Sequence, residues 1–98
     1  MTDITLNCLI VPKGDLMGIP IIKVMQAITI DSSKPVSVLE NEIQVRLEAA
    51  PFNTTSLSIC QIHPEGDGER PMQSNTLIST FFTEKPQVDH FNVIVYPQ

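Results

Sequence analysis

Val36-Ser37-Val38-Leu39-Glu40-Asn41-Glu42-Ile43-Gln44-Val45-Arg46-Leu47-Glu48-Ala49-Ala50 is the stretch on which the fold turns. Val36, Leu39, Ile43, Leu47 and Ala50 recur at spacings of three and four, which puts them on one face of an α-helix. A helix from Val36 to Ala50 is roughly 22 Å long, about enough to lie diagonally across a small sheet. Alone in water such a helix is marginal, so flanking strands must cover its apolar stripe. Burying the stripe is worth roughly 1.5–3 kcal/mol per large side chain, an upper figure of about 10 kcal/mol before chain entropy is subtracted. Val38 and Val45 fall on the opposite face with Glu42 and are candidate partner contacts.

The boundaries of this helix are written in its neighbours. Asp31-Ser32-Ser33-Lys34-Pro35 closes what precedes it; Pro35 suits a helix entrance, and Ser32 or Ser33 is expected to cap the first free amides. Pro51 ends the helix, because the residue before a proline is disfavoured in helical conformation.

Outside this stretch the chain reads as strand and loop. Ile4 to Val11 alternates, with Ile4, Leu6, Cys8 and Ile10 expected inward and Thr5, Asn7, Leu9 and Val11 outward. Pro12 to Pro20 reads as a long hairpin loop, apolar at Leu16, Met17 and Ile19, which either tuck under the sheet or form a contact surface. Ile21 to Ile30 is expected as a second strand, where Gln26 among inward positions points to a bulge or an edge. Leu57 to His63 is a third strand, Pro64 to Pro71 a turn-rich acidic loop without calcium-ligand spacing, and Leu77 to Phe82 an apolar segment closing one end of the core. Phe91 to Tyr96 forms a last strand, with Phe91, Val93 and Val95 on one face and Asn92, Ile94 and Tyr96 on the other. Ile94 and Tyr96 join the two valines as candidate partner contacts.

The order ββα, β, crossing segment, β describes an α+β fold: a mixed sheet of four to five strands packed on one helix, with the first and last strands side by side and parallel. That is the β-grasp arrangement, and it resembles ubiquitin. In it the last strand separates Cys8 from Cys60 by roughly 9–10 Å, too far for a disulfide.

At 98 residues and 42 % apolar, the chain makes one domain with a single core. Six basic and eleven acidic residues give a net charge of −5 with no basic run, which argues against nucleic acid or an anionic membrane as direct partners. Met1-Thr2-Asp3 has no positive n-region, Pro12 stops the first apolar run, and no segment approaches a membrane span. Cys8 and Cys60 lack the pairing that zinc requires, so no metal or cofactor is expected. His63 and His90 sit at strand ends without a grouped nucleophile, and a non-enzymatic role follows. Asn53-Thr54-Thr55 fits a glycosylation acceptor, read here as a polar loop.

Several strings carry a resemblance across Ile4 to Pro97. Leu6-Asn7-Cys8-Leu9 matches an "LNCL" opening, and Val36 to Ile43 a valine, leucine and isoleucine helix. Leu77, Phe82, Pro86, His90, Val93, Ile94, Val95 and Pro97 match a closing "L...F...P...H..VIV.P" pattern. Together they resemble the N-terminal domain of the Crinkler (crinkling and necrosis) effector family. Leu57, Ile59, Cys60 and Ile62 fall at that family's LxLFLAK motif in degenerate form: Cys60 stands at the aromatic position, and Gln61 and His63 replace basic or aliphatic residues. The resemblance implies a ubiquitin-like N-terminal module of an effector that is secreted and delivered to a host cell, often to its nucleus. In full-length relatives a variable C-terminal effector domain follows, and the partners of the N-terminal module are proteins. The alternative is a stand-alone ubiquitin-like adaptor unrelated to effectors. A conjugated modifier is disfavoured, because Val95-Tyr96-Pro97-Gln98 carries no diglycine.

Overall fold

The computed structural model describes residues 3–48, 52, 55–62, 68–82, 86 and 89–97. Strand β1 (Asp3–Ile10) keeps the expected alternation: Leu6, Cys8 and Ile10 are fully buried, and Ile4 is half-buried at the strand's start. The loop that follows is split in use. A 3₁₀ turn, Gly14–Leu16, buries Leu16, and Ile19 is buried after it, while Met17 between them stays in solvent.

Ile21 to Val24 departs from the expected strand and forms a single helical turn, α1 (Ile21–Val24). Its β-branched residues favour extended backbone, but a tertiary contact outweighs them. Lys23 on this turn donates its ammonium to the Arg46 carbonyl at 3.2 Å and pairs with the Glu48 carboxylate at 3.3 Å. Strand β2 (Met25–Asp31) then pairs antiparallel with β1 from Asp3↔Asp31 to Leu9↔Met25. Gln26 lies at an edge strand, in keeping with its polarity, and its amide donates to the Lys23 carbonyl.

Helix α2 (Val36–Leu47) buries Val36, Leu39, Ile43 and Leu47, the stripe read from the sequence; Ala50 lies outside the described residues. Neither Ser32 nor Ser33 caps it. The N-cap is Pro35, and the first amides are met by backbone instead: Val36 N–H donates to the Thr76 carbonyl at 2.9 Å and Ser37 N–H to the Ser74 carbonyl at 3.0 Å. Ser33 turns to the Asp31 carboxylate, whose pKa its backbone N–H and hydroxyl together lower. The helix ends at Glu48, a non-glycine residue with φ of 65°. The end comes before Pro51, with Lys23 supplying the cation that helix C-termini favour.

Strand β3 (Leu57–Ile62) is anchored to α2 at its start, where Leu57 N–H donates to the Glu40 carboxylate at 3.0 Å and the Gln44 amide to the Thr55 carbonyl. Within the expected acidic loop, Glu69 to Pro71 forms a short strand, β4 (Glu69–Pro71), against β3. Residues 63–67, with His63 and the rest of that loop, lie outside the described residues, as does Asn53. A second 3₁₀ turn, Ile78–Thr80, closes the core through Ile78, and Ile78 N–H and Ser79 N–H donate to Lys34 and Ser32 carbonyls. Strand β5 (Val93–Pro97) buries Val93 and Val95; Phe91, read as part of this strand and on their face, precedes it and is partly exposed.

The five strands form one mixed sheet in the order β2-β1-β5-β3-β4. β1 and β5 run parallel, and the other pairs antiparallel. The inner-face residues of β1, β2, β3 and β5 share one core with the α2 stripe. This is an α+β fold with one main helix over a five-stranded sheet, consistent with a β-grasp. Cys8 and Cys60 are both free and buried, on strands separated by β5.

Candidate interaction surface

The face of the sheet turned away from α2 is where the register matters. Because Leu6, Cys8, Ile10, Ile28, Val93, Val95, Leu57 and Ile59 point into the core, their strand neighbours point outward. Pairing Met25 with Leu9, Leu9 with Ile94, Ile94 with Cys60 and Cys60 with Pro71 gives one transverse row that crosses all five strands. Every member is apolar. Met25 is 63 % exposed at one end, Pro71 is exposed at the other, and Leu9 and Ile94 are half-buried between them.

Tyr96 shapes the middle of this face. It lies opposite Ser58, yet its hydroxyl donates to the Glu69 carboxylate at 2.7 Å, and Glu69 lies opposite Ile62. The bond therefore carries the ring across the Cys60 position between those rows, and Cys60 is only 8 % exposed. The Lys13 ammonium sits 5.0 Å from the centre of the same ring. By accepting a hydrogen bond from the Tyr96 hydroxyl, the Glu69 carboxylate raises the phenol's pKa. Desolvation, with the Glu69 charge second, raises that of the Cys60 thiol. Both groups stay protonated at neutral pH.

At the Met25 end the row opens into a depression of about 340 Å³ bordered by Asn7, Ala27, His90 and Phe91. Its floor is fixed by polar bonds: the Asn7 side chain donates to the His90 carbonyl at 3.0 Å, and Asn92, itself buried, bonds Asn7. The His90 ring is exposed and lies 3.7 Å from the Asp89 carboxylate. It belongs to the β1–β2 side of the sheet, so no Cys60–His90 pair forms.

The structure divides the four residues singled out from the sequence. Ile94 and Tyr96 share the outer face of the sheet. Val45 is 62 % exposed but sits on α2, on the other side of the molecule. Val38, on the same helix, is half-buried and packs against the core. Of the degenerate motif, Leu57 and Ile59 serve the core, whereas Cys60 and Ile62 face outward. Leu9, Met25 and Pro71 escape a reading of the sequence, because each looks ordinary until five strands are aligned; the outward half of β1's alternation is the available signal. Among the described residues no group of three potential metal ligands occurs, and no helix is long and apolar enough to cross a membrane.

No protein-family model matches the chain, and a search of the curated proteins finds no significant match.

Proposed function

We propose that this chain is the non-catalytic, ubiquitin-like N-terminal module of a secreted, host-delivered Crinkler-type effector, acting through protein–protein contact made by the outer face of its sheet. The observation that carries the reading is the apolar row from Met25 to Pro71 on the solvent side. Apolar side chains gathered on a solvent-facing surface are the form that partner contacts take, and here Tyr96, held by Glu69 and flanked by Lys13, bridges the row where Cys60 is covered. The thiols support a non-catalytic role: burial pushes Cys8 up to about 12 and raises Cys60, so neither offers a thiolate at neutral pH. The effector assignment rests on the sequence strings.

The test is delivery of cargo. Fused ahead of a fluorescent reporter and secreted by the native producer, the chain is expected to carry the reporter into host cells, and Ile94→Lys or Met25→Lys to abolish entry while leaving the circular dichroism unchanged. A folded fusion that stays outside the host overturns the effector reading. Entry unaffected by both lysines overturns the outer face as the contact.

A further inference from the structure

The sheet has two edges, and they differ. β4 is three residues long and carries Glu69, Arg70 and Pro71, the charges and proline with which edge strands resist pairing. β2 is seven residues long, holds no proline or lysine, has no charge before Asp31, and keeps an unbroken register with β1. Nothing in its sequence blocks a further strand.

Which backbone groups it offers follows from Asn7. The Asn7 N–H donates to Asn92 Oδ1 and its carbonyl accepts from Asn92 N–H, so both point away from β2. Ala27, opposite Asn7, is then in a non-hydrogen-bonded pair and turns its own N–H and C=O outward; by alternation so do Met25, Thr29 and Asp31. At the ends, Met25 N–H belongs to the helical turn of α1, and the Asp31 carbonyl accepts from Lys34 N–H at 3.1 Å. Among the described residues the open groups are therefore the Met25 C=O, both groups of Ala27 and of Thr29, and the Asp31 N–H.

That set is self-complementary. We infer that β2 pairs antiparallel with β2 of a second copy about a two-fold axis at Ile28, joining two sheets into one. Ala27 then lies opposite the second copy's Thr29 and exchanges both bonds with it, and the Met25 carbonyl accepts from the second copy's Asp31 N–H. Each open group finds a partner and none is left over. Side chains agree: on the outer face Ala27 meets Thr29, and no like charges face each other. The two Asp31 carboxylates stand about 20 Å apart, at roughly 3.3 Å per residue, beyond the screening length of about 8 Å. Isologous pairing of this kind closes at the dimer. This interface uses the backbone edge of β2, whereas the contact proposed above uses side chains on the sheet face, with Met25 at the corner where the two meet.

Sedimentation of the full chain from about 10 μM to about 1 mM tests it. The expected result is a monomer–dimer equilibrium that Ala27→Lys weakens at least about 10-fold by placing a charge on the edge. Thr29→Pro is expected to do the same by deleting an outward N–H that β1 does not use. Ala27→Lys leaves the backbone intact and decides the matter should the proline variant unfold. Amide exchange at Ala27 and Thr29 is expected to slow as concentration rises. A chain that stays monomeric to about 1 mM overturns the inference, even if the edge binds a foreign strand. So does a dimer that survives Ala27→Lys but is lost in Ile94→Lys, which places association on the sheet face.

Discussion

Asn92 holds Asn7 at two points: its backbone N–H donates to the Asn7 carbonyl at 2.9 Å, and its side-chain Oδ1 accepts the Asn7 N–H at 2.8 Å. The side chain thus substitutes for a ladder carbonyl where β1 and β5 begin their parallel pairing. The two strings that bracket the sequence, one holding Asn7 and the other His90 to Val95, meet at this bond. Asn92→Ala leaves the half-buried Asn7 N–H without its side-chain partner and is expected to cost about 1 kcal/mol or more in urea unfolding. A loss below about 0.5 kcal/mol would show that water replaces the bond freely.

Leu39→Ala and Ile43→Ala each open a cavity in a fully buried stripe and are expected to lose about 2–5 kcal/mol. Val45→Ala, on the exposed face of the same helix, is expected to change stability by less than about 0.5 kcal/mol. Equal losses at Val45 and Leu39 would contradict the orientation of α2.

Glu48 adopts a φ of 65° at the end of α2, where a side chain is strained and glycine is not. Glu48→Ala and Glu48→Gly both lose the pair with Lys23, so their difference isolates the strain. The glycine variant is expected to be the more stable by about 1 kcal/mol in thermal or chemical denaturation. Equal stability of the two would mean that the backbone relaxes at no cost.

Burial pushes the Cys8 thiol from 9.0 up to about 12. Between those values the unfolded chain releases a proton that the folded chain keeps, so its share of stability is intact below pH 9 and declines as pH rises toward 12. The expected slope is about −1.4 kcal/mol per pH unit. Cys8→Ala is expected to flatten this alkaline decline, measured as denaturation midpoint against pH; an unchanged slope assigns it to other groups.

Tyr96 and its bond to Glu69 cover Cys60. Tyr96→Ala is expected to speed modification of Cys60 by a thiol reagent at mildly alkaline pH, and Tyr96→Phe, which keeps the ring but frees it from Glu69, to do so less. Cys8 provides the internal standard, since its labelling follows global unfolding. Identical Cys60 rates in all three proteins would remove Tyr96 as the cover.

The helix stripe and the inward half of β1 are legible in the sequence because their periodicity is local: Val36, Leu39, Ile43 and Leu47 need no knowledge of what covers them. Ile21 to Val24 reads as strand, and wrongly, because what turns it, Lys23 reaching Arg46 and Glu48, lies across the fold. The serine cap fails for the same reason, the amides of Val36 and Ser37 being met by Thr76 and Ser74. β4 is hidden because Glu-Arg-Pro has no strand propensity. Of the candidate surface Ile94 and Tyr96 are visible as contacts and Leu9 as an outward residue of β1; that Met25, Leu9, Ile94, Cys60 and Pro71 form one row follows from pairings that no single segment encodes.

The parallel pair Leu9↔Ile94 joins the first strand of the sheet to the last in sequence order, and β5 fills the centre of the sheet. During synthesis the β1–β2 hairpin and the β3–β4 ribbon leave the ribosome with the slot between them empty, their apolar inner faces lacking a common wall. Folding must therefore wait until Pro97 has cleared the exit tunnel, so a nascent chain stalled a few residues earlier holds two separate, aggregation-prone fragments rather than most of a domain.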